Sequence, residues 1–297
     1  MCDIGKEMRS RVTVVGLGLL VLAFAPAAAA KTKTESDTDG QVTASLSYSY
    51  KTTRYGSYDF TSARVTIARG GVTLLDTPLG KECSYCTPWP ASGAQPGVSS
   101  VNVEDLDADG EPEVLVDLYS GGANCCWYTN SYRFDANQNK YIFKLLRPGL
   151  SFPYTLKDLD GDGVPEFKSV DYRFAYKYGS NVDTPRPLRV FDWGPGGKLI
   201  DVTIAFPKLA AQDAAEMYGI YLKFRKVKNA NVRGALAAYL ADSYNARNGR
   251  VAWRRVVAAY RRGDVDRMQN GEVGPFGRKY LVSLRKFLKK LGYLRTT

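Results

Sequence analysis

Asp105-Leu-Asp-Ala-Asp-Gly-Glu-Pro-Glu113 and Asp158-Leu-Asp-Gly-Asp-Gly-Val-Pro-Glu166 spell one pattern twice, D-L-D-x-D-G-x-P-E. Carboxylates at alternate positions, a glycine that permits a sharp turn and a final carboxylate wrap oxygen around a hard cation. Ca²⁺ takes roughly six to eight oxygen ligands, carboxylates and carbonyls together. The pattern therefore predicts two Ca²⁺ sites. The first would use Asp105, Asp107, Asp109, the carbonyl of Glu111, and Glu113. The second would use Asp158, Asp160, Asp162, the carbonyl of Val164, and Glu166. An EF-hand shares this opening but needs a glutamate at its twelfth position and flanking helices. Val116 and Ser169 stand there instead, and the flanks alternate like strands. Loops that can saturate their own ion point to a structural metal, because a catalytic metal keeps a position open.

Outward from each loop the sequence repeats a set of strands. Around the first loop, residues 98–103 enter, 113–118 leave, and 127–134 and 141–146 follow. Around the second, the matching segments are 154–157, 166–176, 188–193 and 199–206. The loops lie 53 residues apart, a period common in strand-based repeats whose units stack or pair to cover their apolar faces. Upstream, Val42, Ala44, Leu46, Tyr48 and Tyr50 alternate with Thr and Ser, the pattern of a strand with one buried face. Gly70-Gly71 between two apolar runs signals a hairpin. Residues 42–76 would then be a third unit without the acidic motif. Residues 31–40 are polar and read as a frayed leader.

The loops resemble those of the FG-GAP and VCBS class of extracellular repeats, of the form D-x-D-x-D-G-x-x-[DE]. Both copies match every acidic position, with Glu113 and Glu166 in the last place. The resemblance covers residues 98 to 193. It implies calcium held between strands of a β-propeller blade in a bacterial secreted protein, and it implies no known activity. The Phe-Gly and Gly-Ala-Pro words of that family are absent, Ser120-Gly-Gly-Ala123 being the nearest trace. With so few repeats, open antiparallel sheets or a partial propeller are expected rather than a closed ring.

After Pro207 the period changes from two to three or four. Met217, Tyr221 and Phe224 share one helical face, as do Leu236, Tyr239 and Leu240, and then Trp253, Val256, Val257 and Tyr260. Tyr280, Leu281, Leu284, Phe287, Leu288 and Leu291 form the last stripe, opposite Lys279, Lys286, Lys289 and Lys290. A small bundle of about four helices is predicted. Residues 208–297 carry 20 Lys and Arg against 6 Asp and Glu, while residues 31–207 hold 18 against 22. A basic helical domain thus follows an acidic β domain. The basic face suits an anionic envelope surface or polysaccharide, or docking on the acidic β domain. The simpler reading makes the last stripe bundle core and the lysines a solvated face.

Residues 1–30 read as a signal peptide. Arg9 and Arg11 precede an apolar run over 12–25 and a small-residue end at Ala27-Ala-Ala-Ala30. The run is short for a membrane span. Export implies a secreted, extracellular or periplasmic protein, and argues against nucleic acid as a partner. It also leaves Cys83, Cys86, Cys125 and Cys126, an even set that reads as two disulfides. Adjacent cysteines strain if joined to each other, so Cys125 and Cys126 are each expected to pair with one of Cys83 and Cys86. A four-cysteine zinc site is the rival.

The chain has no histidine, which excludes histidine bases, triads and metal sites. A carboxylate pair for glycoside hydrolysis would have to come from residues such as Asp117 and Asp171. Trp89, Trp127 and Trp193 would serve a sugar platform or, more simply, the core. The sequence therefore predicts an α+β protein with a β-repeat domain over 31–207 and a helical domain over 208–297. Its expected role is a binding or structural module stabilised by calcium, not an enzyme. The alternative is an extracellular carboxylate- or metal-dependent hydrolase.

Overall fold

A computed structural model describes residues 30–52, 58–80, 86–90, 98–121, 127–146, 153–181, 184–266 and 274–294. It is α+β, with antiparallel sheets followed by four helices. No closed barrel or propeller forms among the described residues. The expected signal segment lies outside them, except Ala30, as do Cys83, Cys125 and Cys126. Cys86 is disulfide-bonded.

The first sheet runs β1 (Lys31–Asp39), β2 (Val42–Thr52), β3 (Tyr58–Arg69) and β4 (Val72–Pro78), in that order. Gly70 and Gly71 both take positive φ, as the two-residue turn between β3 and β4 requires. Residues 31–39 correct the expectation of a frayed leader: β1 pairs with β2 from Lys31↔Tyr50 to Asp39↔Val42. Its polarity has a use. Glu35 accepts from the Ser100 amide at 2.6 Å and from the Ser99 hydroxyl at 3.2 Å, and Asp37 accepts from the Val103 amide at 2.8 Å. Acidic side chains of one strand thus satisfy backbone donors on another sheet. Burial opposes the Glu35 charge, but Lys33, the Ser100 amide and Tyr48 together hold its carboxyl below the usual range. A depressed carboxyl stabilises the fold above its unfolded pKa, and that contribution is lost as pH falls through the folded value. Glu35→Gln should cost about 1 kcal/mol in urea unfolding at neutral pH, with the difference from the parent vanishing in acid. An equal cost at low pH would contradict this assignment.

The second sheet contains β5 (Thr87–Pro88), β6 (Val101–Glu104), β7 (Glu113–Tyr119), β8 (Trp127–Asp135) and β9 (Lys140–Leu146). β7 pairs with β5 and β6 on one side and with β8 on the other, and β8 pairs with β9. The third sheet is β10 (Thr155–Lys157), β11 (Glu166–Val170), β12 (Leu188–Gly194) and β13 (Lys198–Asp201). Entering strand, acidic loop, leaving strand and two more strands recur in the same order in both. β7 is buried on both faces. Val114, Val116 and Leu118 join Val42, Leu46, Val65 and Ile67 of the first sheet, while Leu115 joins Phe167, Phe191 and Trp193.

Two predicted strands end early, for one physical reason. β11 stops at Val170, and Asp171 then accepts the Arg173 amide at 3.0 Å to start the 3₁₀ turn Tyr172–Phe174. β13 stops at Asp201, whose carboxylate takes the Thr203 amide at 3.1 Å ahead of the turn Thr203–Ala205. In both, an aspartate captures the amide two residues on and offers the backbone an alternative to the ladder.

The helices are α1 (Pro207–Phe224), α2 (Arg233–Asn245), α3 (Gly249–Arg261) and α4 (Gly277–Lys290). Pro207 at the first turn of α1 needs no amide partner. α2 is buried on nearly every side, as its alanine-rich sequence allows, and forms the centre of the bundle. Tyr280, Leu284 and Leu288 of α4 pack into that core, so the last apolar stripe is bundle core. No described helix is long and apolar enough to cross a membrane.

Candidate metal centre

Both acidic loops join strands whose ends are held by the ladder. Glu104 pairs with Glu113 and Lys157 with Glu166, which leaves eight residues in each loop. The backbone closes each loop on its own aspartates. The Gly110 amide donates to Asp105 at 2.9 Å and the Gly163 amide to Asp158 at 3.0 Å. Asp109 accepts the Glu111 amide at 2.9 Å, and Asp162 accepts the Val164 amide at 2.8 Å. The final glutamate folds back in each case: Glu113 accepts the Leu106 amide at 3.2 Å and Glu166 the Leu159 amide at 2.7 Å. The fourth position is left-handed in both, Ala108 at φ +55° and Gly161 at φ +88°. Glycine adopts that conformation freely and alanine does not.

The folding of each loop brings three predicted ligands together. Asp105, Asp107 and Glu113 each offer an oxygen within 4.8 Å of the others, and so do Asp158, Asp160 and Glu166. Asp109 and Asp162 stand outside these triplets, turned onto the amides just described. Glu111 turns its side chain to Arg69 at 2.6 Å. A hard cation fits the first triplet on two counts. All its donors are carboxylate oxygens, and Asp105 Oδ1, Asp107 Oδ1 and Glu113 Oε1 are shut off from solvent yet accept no hydrogen bond. Glu113 is 0% exposed. Burial pushes its carboxyl up to about 8, with Asp107 and Asp109 adding to it against the Leu106 amide and Arg133. Burial also raises Asp107 and Glu166. Gly161 and other loop amides lower Asp158.

The loops differ in one neighbour that the motif does not contain. One step beyond Val114↔Tyr132 in the ladder, Arg133 of β8 faces Glu113. Its guanidinium lies 2.7 Å from Asp109, 3.1 Å from Asp107 and 3.3 Å from Glu113. One step beyond Phe167↔Phe191, the equivalent position is Asp192. Its carboxyl is raised by burial and by Asp160 and Asp162. The first loop carries its own counter-cation, whereas the second gains a further acid. No ion pair reaches Asp158, Asp160, Asp162, Glu166 or Asp192 among the described residues. Arg133→Gln should therefore destabilise the chelated protein by about 1–3 kcal/mol, and Ca²⁺ should recover most of that loss in thermal unfolding. An unchanged midpoint in chelator would show that Arg133 balances nothing. The register across two adjacent strands carried this signal, and the nine-residue motif did not.

Other candidates are placed differently. Asp117 is buried, accepting from Thr129 at 2.7 Å and Tyr154 at 2.8 Å. Asp171 is buried beside Arg173 and Tyr293 at 2.6 and 2.8 Å. Each carboxylate is committed to separate partners. Trp193 is core, and Trp89, Tyr119 and Trp127 form a half-buried row. A further acidic pair, Asp213 of α1 and Asp242 of α2, lies at the joint where Asp242 also accepts the Leu188 amide of β12 at 3.0 Å.

A family described as sll0997 C-terminal domain matches residues 210–292, the helical part. The chain is similar to the "Probable thylakoid lumen protein sll0997" of Synechocystis sp. (strain ATCC 27184 / PCC 6803 / Kazusa), at 26% identity over 223 residues. That alignment covers 73% of this chain and 60% of the relative, so the chain spans under two thirds of the relative's length. Among solved structures, Bombyx mori GH32 β-fructofuranosidase BmSUC1 aligns over 57% of this chain and 36% of its own, at 10% identity and a TM-score of 0.23. A similarity that low carries no argument. The family match overturns the resemblance to FG-GAP and VCBS repeats: it falls on the helices and names a different family. A nine-residue ion loop specifies local oxygen geometry, which unrelated hairpins can share, and so does not specify ancestry.

Proposed function

We propose that the protein is an exported calcium-binding module with a structural or binding role, in which Ca²⁺ fastens the strands that flank each acidic loop. The observation that carries this reading is the set of solvent-excluded carboxylate oxygens that accept no hydrogen bond, Asp105 Oδ1 and Asp107 Oδ1 with Glu113 Oε1, which Arg133 faces at 3.3 Å, in a triplet the second loop repeats. The second loop is the stronger site, because Asp192 adds charge where Arg133 removes it. Flexible oxygen-only loops suit Ca²⁺ better than Mg²⁺, which demands a near-octahedral shell and keeps its waters. Export is supported by the basic-then-apolar segment over residues 9–30 and by the relative described as a thylakoid lumen protein. A secreted or periplasmic location follows from that reading. Calorimetric titration of Ca²⁺ into chelated protein is the test: heat from at least one site supports the reading, and no heat with no change in unfolding overturns it.

A further inference from the structure

The outer side of α4 forms one wall of a groove of about 1080 Å³, closed on the other side by Arg173 and Lys177. Arg278, Lys279, Lys286 and Lys290 line the α4 wall, and no acidic residue lines the groove. Its floor is apolar: Val282, Phe287 and Leu291. Val282 is 50% exposed, a large apolar side chain open to solvent within a cationic rim. Lys177 lies over the Phe287 ring at 5.1 Å, and Arg173 is held by Asp171. The four α4 cations make no ion pair among the described residues. Phe287 and Leu291 are the half-buried edge of the helix's apolar stripe, packed against the bundle core, and Val282 carries that edge out to solvent.

A cationic rim above an apolar floor matches an anion attached to an apolar body. A free inorganic anion or an acidic polysaccharide would use the rim and leave the floor wet. We propose that this groove seats an anionic membrane lipid, headgroup against the lysines and the start of its chains against Val282, Phe287 and Leu291, so that α4 lies side-on at a bilayer surface. Each lysine or arginine near an anionic leaflet strengthens binding about fivefold, and the attraction decays within a Debye length. The site is independent of the acidic loops, so it stands whether or not they bind calcium.

The test uses the chain from Lys31 onward, which contains every described secondary-structure element and lacks the apolar leader. Co-sedimentation is measured with phosphatidylcholine vesicles and with vesicles about one-third phosphatidylglycerol. Binding to the anionic vesicles alone, lost on raising salt to about 1 M, is expected. The Lys286→Gln/Lys290→Gln variant should bind roughly 30-fold more weakly, and Val282→Ser several-fold more weakly, each with the parent's unfolding midpoint. Equal binding to neutral vesicles, indifference to the lysine variant, or capture of an acidic polysaccharide without vesicle binding would each overturn the proposal.

Discussion

Calcium added to the chelated protein should raise its unfolding midpoint by about 5–10 °C, and Asp158→Asn/Asp160→Asn should remove most of that rise. The size follows from linkage. A ligand that binds only the native state at about 100 times its Kd contributes about 2.7 kcal/mol, and 1 kcal/mol moves the midpoint of a domain this large by about 2–4 °C. The comparison in chelator separates this from ordinary damage. Without a cation, Asp158, Asp160, Asp162, Glu166 and Asp192 crowd one loop with no basic partner among the described residues. Neutralising Asp160 relieves its repulsion of Glu166 and Asp192, while neutralising Asp158 weakens the amide bonds that lower its carboxyl, so the double variant should melt close to the parent in chelator and well below it in calcium. A variant lower in both conditions would mean the aspartates act only through the amides of Gly161 and Gly163 that Asp158 accepts. The corresponding change at Asp105 and Asp107 should produce a smaller calcium effect, because Arg133 already balances the first loop.

The acidic loops were legible because their information is local. The motif places the first, third and ninth carboxylates of each loop together, while the fifth, Asp109 or Asp162, turns onto a backbone amide, and the flanking alternation fixes the strands. The change from period two to period three or four after Pro207 placed the helices for the same reason. What the sequence hid depends on neighbours distant in the chain. The polarity of β1 looked like a solvated leader, since nothing near Glu35 and Asp37 reveals that their acceptors meet the amides of Ser100 and Val103 more than sixty residues away. Arg133 and Asp192 acquire meaning only through the ladder that sets them opposite Glu113 and Glu166. Family kinship was misread because the most regular stretch was an ion-loop pattern, whereas the family match falls on helices of unremarkable sequence.

Asp242→Ala should cost about 3–4 kcal/mol, while Asp242→Asn should leave the protein as stable at neutral pH or more so. Asp242 is 0% exposed in the last turn of α2 and joins the bundle to β12 through the Leu188 amide. Alanine strands that buried amide and leaves a cavity, and the two penalties add. Burial holds the Asp242 carboxyl well above its usual range, and the Asp213 carboxylate beside it pushes the same way. A raised acid stabilises the fold fully below its unfolded pKa of about 3.9, and that contribution is lost as pH climbs through the folded value. Asparagine keeps the acceptor without the charge: its oxygen accepts from Leu188, and no carboxylate is left buried beside Asp213. Stability of the Asn variant should then decline less between acid and neutral pH than that of the parent. Carboxyls with depressed values, Glu35 and Asp171, slope the other way in both proteins and cancel in the difference. Parallel pH profiles for parent and Asn variant, or an Asn variant as weak as the Ala one, would show that the joint is held by a charged Asp242 instead. The joint would then need a cation close to α2, whereas the charges that act on the Asp242 carboxyl are those of Asp213 and Asp171, both acidic.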